Sequence, residues 1–154
     1  MLDRIDRQLL AAIQEDSSVS VAEIATRVSL SVTPCWRRLQ RLEKDGYVRA
    51  RVALLDAKRL NLAVTAFMEI RVAQHSASWL EQFATRIAEI PEVIEVYRLS
   101  GHADYLLKVL VPDIAAYDGI YKRLISTLEL SDVRSSFAME TMKWTSMLPL
   151  NYAT

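Results

Sequence analysis

The feature that most constrains this chain is the stretch SVAEIATRVSLSVTPCWRRLQRLEKDG, residues 20 to 46. Two helical apolar patterns flank Ser29-Leu30-Ser31, a connection short enough to be only a tight turn with Leu30 as its buried anchor. Ser20 followed three residues later by Glu23 has the spacing of a capping box, in which each side chain satisfies an orphan backbone N–H of the other residue. Val21, Ile24, Ala25 and Val28 then give the helix one apolar face. For the second helix, Ser31 and Thr33 are rival caps, and Pro34 falls in the first turn, where a missing N–H costs little. Gly46 ends it, since glycine takes the left-handed conformation after a last turn without strain. Ahead of the pair, Leu2, Ile5, Leu9, Leu10 and Ile13 recur at helical spacing, predicting an amphipathic helix from about Asp3 to Glu15.

Phased at 100° per residue, Cys35, Leu39 and Leu42 fall within one narrow arc of the third helix. Thr33, Arg37, Gln40 and Lys44 point the opposite way, with Trp36 and Arg41 expected on one flank and Arg38 on the other. A short helix pair whose second member has a basic outer face can set that helix in the DNA major groove while the first braces it. Arg37 and Gln40 have the geometry for guanine and adenine edges, and Arg38, Arg41 and Lys44 are expected at phosphates. Ser31, Thr33 and Trp36 complete the expected DNA face. The plain alternative is a solvated charged surface; the cap, the turn length and the basic face agree with one another and favour DNA. After Gly46 the period becomes two, Val48, Ala50, Val52 and Leu54 alternating with Tyr47, Arg49, Arg51 and Ala53, which predicts a strand. Arg49 and Arg51 share a face of it, either touching the DNA backbone as a wing or keeping an edge strand soluble.

The net charge of zero conceals two unlike halves. Residues 1–60 hold 11 Lys and Arg against 8 Asp and Glu, and residues 61–154 hold 8 against 11. That split predicts a basic DNA-binding domain over 1–60 and an acidic domain with another task over 61–154. The single cysteine, Cys35, allows no internal disulfide and fits a reducing cytosol. Its phase is that of a core residue, and redox sensing would need an exposed thiolate. No apolar run approaches a membrane span, and MLDRIDRQLL is too acidic for a secretory signal, so a cytoplasmic location without membrane partners is expected. His75 and His102 are far apart with no second cysteine, and no phosphate-cradling loop or nucleophile elbow appears. No metal, cofactor or catalytic residue is therefore expected.

From residue 64 onward, strand and helix patterns alternate. Strands are predicted over 65–72, 93–99, 105–111 and 134–145, and helices over 78–89 and 113–128. The order β-α-β-β-α-β is the ferredoxin-like split unit, making the whole chain α+β: a winged helix-turn-helix followed by a four-stranded antiparallel sheet with both helices on one face. The strands look apolar on both sides, Ala66, Met68, Ile70 and Val72 alternating with Phe67, and Tyr105, Leu107 and Val109 with Leu106 and Leu110. A sheet face left in water would be a large apolar patch, so a second copy packed sheet to sheet is expected. Such a dimer would present two DNA-reading helices to a palindromic site.

These segments resemble the Lrp/AsnC, or feast/famine, transcriptional regulators over essentially the full length. The resemblance is carried by LDRIDRQLL, TPCWRRLQRLEKDGYV, ALLD, GHADYLLKV and SSFAMETMKWTSMLPL, in that order. Ser29 stands where many members have glycine in the helix-turn-helix turn. The resemblance implies dimers that assemble into tetramers or octamers, bind amino acids or related molecules, and activate or repress transcription. The TPCW, TAF, HS…W, DYL and LSDV…SSFAME segments look most like a branch associated with cysteine-responsive control. By resemblance the effector sits between subunits, near Gly101, His102, Asp104 and Tyr105, and near Ser131, Ser135 and Ser136. Asp104 can pair with an α-ammonium there, or serve as a turn residue bonding its own backbone. Two other readings stand beside this one. Sirohaem decarboxylases resemble the same scaffold, but need pocket histidines and cations where only His102 is present. An architectural DNA-wrapping protein would have little base discrimination and no effector.

Overall fold

The computed structural model describes residues 1–73 and 76–153; His75 lies outside them. The chain forms two compact units, one of residues 1–54 with 142–154 and one of residues 55–141. The tail from 142 onward, expected in the second domain, thus belongs to the first unit.

The first unit contains α1 (Arg4–Glu15), α2 (Val21–Arg27) and α3 (Val32–Lys44). Both early helices open on a capping box. The Ser20–Glu23 box is present as expected, and a second is formed by Asp3 and Asp6 at α1. Ser31 holds the N-cap position of α3, but its side chain makes no capping bond. Ser29 takes the turn in the left-handed region at φ 56°, the conformation a glycine would adopt freely. Leu30 donates its N–H to the Ala25 carbonyl and packs half-buried on the core. At the far end, Gly46 has φ 80°, its N–H bonds the Glu43 carbonyl, and Tyr47 N–H bonds the Leu42 carbonyl. That paired pattern is a Schellman cap. Leu9, Leu10, Ile13, Ile24, Ala25, Cys35, Leu39 and Leu42 make the core, and Leu150 and Ala153 of the tail pack against it. Gln14 holds the tail by both ends of its amide, accepting from Leu148 N–H at 3.0 Å and donating to the Leu148 carbonyl at 3.1 Å.

The strand predicted over 47–54 is not formed. The described residues of this chain offer that segment no ladder partner, and Val52 and Leu54 stand exposed. Alternation alone cannot make a strand without a neighbour to accept its N–H groups.

The second unit has β1 (Val64–Val72), α4 (Ala77–Ala88), β2 (Val93–Arg98), β3 (Tyr105–Val111), α5 (Ile114–Thr127) and β4 (Leu130–Phe137). The sheet order is β2-β3-β1-β4, with every neighbour antiparallel. The ferredoxin-like arrangement is as expected, except at β4, which starts four residues earlier than predicted and ends at Phe137 rather than 145. Among the described residues its only neighbour is β1, whose pairing runs out at Ala66↔Phe137 and a last bond from Ala138 N–H to the Thr65 carbonyl. Ala66, Met68, Ile70, Leu107 and Val109 face α4 and α5 in one core with Trp79, Phe83, Tyr117, Ile120 and Leu124. The opposite face is less apolar than expected. Phe67, Leu106 and Leu110 are half-buried there, but Glu69, Arg71 and Lys108 interleave with them, and Lys108 donates to Glu95 at 2.8 Å.

Candidate nucleic-acid interface and effector region

The third helix is held against α1 and α2 by Cys35, Leu39 and Leu42, which are 0 to 2% exposed. That phase leaves Thr33, Trp36, Arg37, Gln40 and Lys44 on its solvent side. Trp36 is half exposed, at 51%. Among the described residues Ser31, Thr33, Trp36, Arg37, Lys44 and Arg49 have no hydrogen-bond or ion-pair partner for their side chains, so the basic groups among them are available to a ligand.

Four other members of the expected DNA face are already engaged. Arg38 donates to Asp3 at 2.5 Å and to Asp6 at 2.8 Å, and Arg41 pairs with Asp6 at 2.5 Å. The placement of Arg38 and Arg41 on opposite flanks is therefore corrected. They are three residues apart, neighbours on successive turns, and both turn toward α1 rather than outward to phosphates. Gln40 and Arg51 both donate to Glu43, at 3.1 and 2.6 Å. The Asp6 N–H and then the Arg38 guanidinium hold the Asp3 carboxyl below its ordinary pKa, and Asp3 followed by Asp6 raises that of Arg38. The acceptor role of Asp3 and Asp6 escaped the sequence reading. Its one local signal was the Asp-x-x-Asp spacing at the start of α1. The Cys35 thiol is buried with its pKa pushed up by burial, the opposite of a reactive thiolate.

In the second unit the β2–β3 turn carries the expected effector residues. Gly101 has φ 147°, outside the range of ordinary side chains, and it and His102 are exposed. The Asp104 carboxylate reaches across to β1, accepting Val72 N–H at 2.9 Å and extending the β3–β1 pairing. Tyr105 points into the core, 4% exposed, its ring against Phe83 and Trp79 at 4.7 and 5.5 Å. The three serines do not gather there. Ser131 falls at the β4 register irregularity, near the strand end that pairs with Val72. Ser135 is opposite Met68 on the helix-covered side, hydrogen-bonded to the Tyr117 hydroxyl, whereas Ser136 is opposite Phe67 on the open side. Five residues of strand, about 16 Å, separate Phe67 from Val72. The turn and Ser131 thus share one end of the sheet, and Ser135 and Ser136 do not.

An open groove of about 970 Å³ lies elsewhere, within the first unit, between α1, the 47–54 segment and the tail. None of the expected effector residues lines it. Among the described residues no group of His, Cys, Asp and Glu could hold a metal, and no helix is long and apolar enough to cross a membrane.

Comparison with known proteins places both units. Residues 2–49 match the winged helix-turn-helix DNA-binding model, and residues 65–148 match the Lrp/AsnC ligand binding domain. The chain belongs to the Lrp/AsnC family. As a family member it is a DNA-binding transcriptional regulator, not an enzyme. It is 48% identical over 151 residues to the DNA-binding transcriptional activator DecR of Escherichia coli K12, covering 97% of this chain and 99% of that one. The fold is that of an AsnC family transcriptional regulator from Agrobacterium tumefaciens, at 55% identity and TM-score 0.96, over 99% of this chain and 100% of that one. A transcriptional regulator of Neisseria meningitidis in complex with L-methionine is 36% identical at TM-score 0.93, with 98% of each chain covered.

Proposed function

We propose that this Lrp/AsnC protein reads double-stranded DNA with the outer face of α3, as a cytoplasmic homodimer, and that a small amino acid bound by the second unit tunes that reading. The observation that carries the DNA face is the set Thr33, Arg37 and Lys44, which the apolar arc aims at solvent and which no acidic group ties down. Arg37 supplies a bidentate base contact, Lys44 and Arg49 supply phosphate contacts, and Ser31, Thr33 and Trp36 border the groove. Gln40 and Arg51 join only by exchanging Glu43 for DNA.

The open sheet face supports self-association, because Phe67, Leu106 and Leu110 gain burial while the charges around them can pair across a two-fold axis. The unpaired 47–54 segment fits a strand whose neighbour is a second copy. Tetramers or octamers would be built from such dimers. For the effector, Gly101, His102, Asp104 and Ser131 are the residues at one sheet end; Tyr105, Ser135 and Ser136 support the site from behind or take no part. L-methionine in the Neisseria regulator supports an amino acid as ligand, and the resemblance of the TPCW, TAF and DYL segments to a cysteine-responsive branch makes cysteine one candidate.

The test is a mobility shift on the DNA upstream of this gene and its neighbours, with each amino acid in turn at constant salt. A sequence-specific shift altered by one amino acid is the expected result. A specific shift indifferent to all of them would overturn the effector reading, and the absence of any specific shift would overturn the whole.

A further inference from the structure

Asp6 is the one charged residue in the buried set of the described residues, at 1% exposure. Its two oxygens accept Arg38 at 2.8 Å, Arg41 at 2.5 Å and the Asp3 N–H at 3.2 Å. Arg38 also has Asp3, whereas among the described residues Arg41 has Asp6 alone. Helix capping does not require this: a neutral side chain at the same position would close the capping box. What the carboxylate adds is a hold on two cations.

Arg41 lies one turn beyond Arg37 and about 40° around the helix. It stands at the edge of the exposed face, its side chain 48% exposed even while paired. Released from Asp6, it would add a cation beside Arg37 and Lys44. Phosphate contacts raise affinity for every sequence alike, whereas base contacts discriminate. We propose that Asp6 is a specificity-determining residue: by tying up Arg41, and Arg38 together with Asp3, it withholds sequence-independent phosphate contacts and leaves base reading dominant. The inference rests on α3 being the reading helix, which Arg37→Ala tests separately with Asp6 intact.

The experiment uses the full chain with Asp6→Asn, which keeps the shape and an acceptor oxygen but not the charge. Affinity for the specific site and for a random-sequence duplex is measured from about 50 to 300 mM salt. On random DNA, the slope of log affinity against log salt should steepen by about 0.9 for each subunit engaged, about 1.8 for a dimer with both α3 helices on the duplex. Affinity there should rise at low salt, and the specific-to-random ratio should fall. Adding Arg41→Gln should restore the original slope. An unchanged slope in a folded Asp6→Asn protein, or a steepening that survives Arg41→Gln, would overturn the proposal. Arg41→Gln alone keeps it testable if Asp6→Asn does not fold. With Asp6 in place its slope should equal the wild type, and a slope shallower by about 0.9 per subunit engaged would show Arg41 already on a phosphate.

Discussion

The two units hold themselves together by different means. The second is a four-stranded sheet under two helices, with a continuous apolar core that includes Trp79, Phe83 and Tyr105. Among its described residues the first has three short α-helices, one 3-10 turn at Leu150–Tyr152 and a core mostly of small and medium aliphatic residues. It relies on devices at its edges: two capping boxes, a glycine cap, a clamped tail and the Asp6 ion pairs. The difference follows from what each must expose. A reading helix has to keep one face basic and unburied, so stability is sought at helix ends and flanks. A sheet that presents one face and covers the other can rest on its covered side.

Removing core volume should break the comparison most sharply. Leu107→Ala, at a fully buried position of β3, should cost about 3 kcal/mol of stability by leaving a cavity, read as a lower urea midpoint. The loss should appear in near-ultraviolet signals of Trp79 while the α3 backbone keeps its protection from exchange. Smaller effects belong to the backbone of the first unit. Gly46→Ala places a side chain at φ 80° and should cost about 1 kcal/mol. Ser29→Gly relieves the opposite situation at φ 56° and should raise stability by up to about 1 kcal/mol, read as a higher melting temperature. Equal and same-signed responses to these two substitutions would contradict the reading of the turn.

The smallest expected effect is that of acid. The carboxyls of Asp3, Asp16 and Glu23 are held below their ordinary pKa, chiefly by the Asp6 N–H, the Ser18 hydroxyl and the Ser20 hydroxyl respectively. A depressed carboxyl contributes stability that is present above its unfolded pKa, near pH 4, and lost as pH falls through the folded value. The second unit has one such group resolved among its described residues, Glu95, lowered first by Lys108 and then by Tyr97. Exchange protection in α1 and α2 should therefore fall before that of β1 and β3 as pH drops below about 4. Simultaneous loss in both units would remove the contrast.

What could be read from the sequence divides along the same line. Local signals were legible: the Ser20–Glu23 box, the Gly46 cap, and β3 with the same bounds, Tyr105 to Val111. Contacts between elements were not. Asp6 and Arg38 are separated by 32 residues, and no periodicity reports that a carboxylate on one helix faces two arginines on another. The apolar run continuing past Phe137 hid the end of β4, because a strand stops where its neighbour does. The 47–54 segment shows the converse, a strand pattern with nothing among the described residues to pair with. For the effector region, the turn at 101–104 was legible from its glycine. The separation of Ser135 from Ser136 onto opposite faces follows from the strand period once the register with β1 is known.

The most direct test of the central claim compares base preference rather than affinity. Binding of the wild type, Arg37→Ala and Lys44→Ala to a library randomised across the preferred site, at one salt concentration, separates reading from holding. Arg37→Ala should relax the preference at one position in each half-site, costing roughly 1 to 3 kcal/mol per half-site on the best sequence, while Lys44→Ala weakens all sequences alike. If Arg37→Ala instead lowers every sequence equally and leaves the preferences intact, the outer face of α3 is not what reads the DNA.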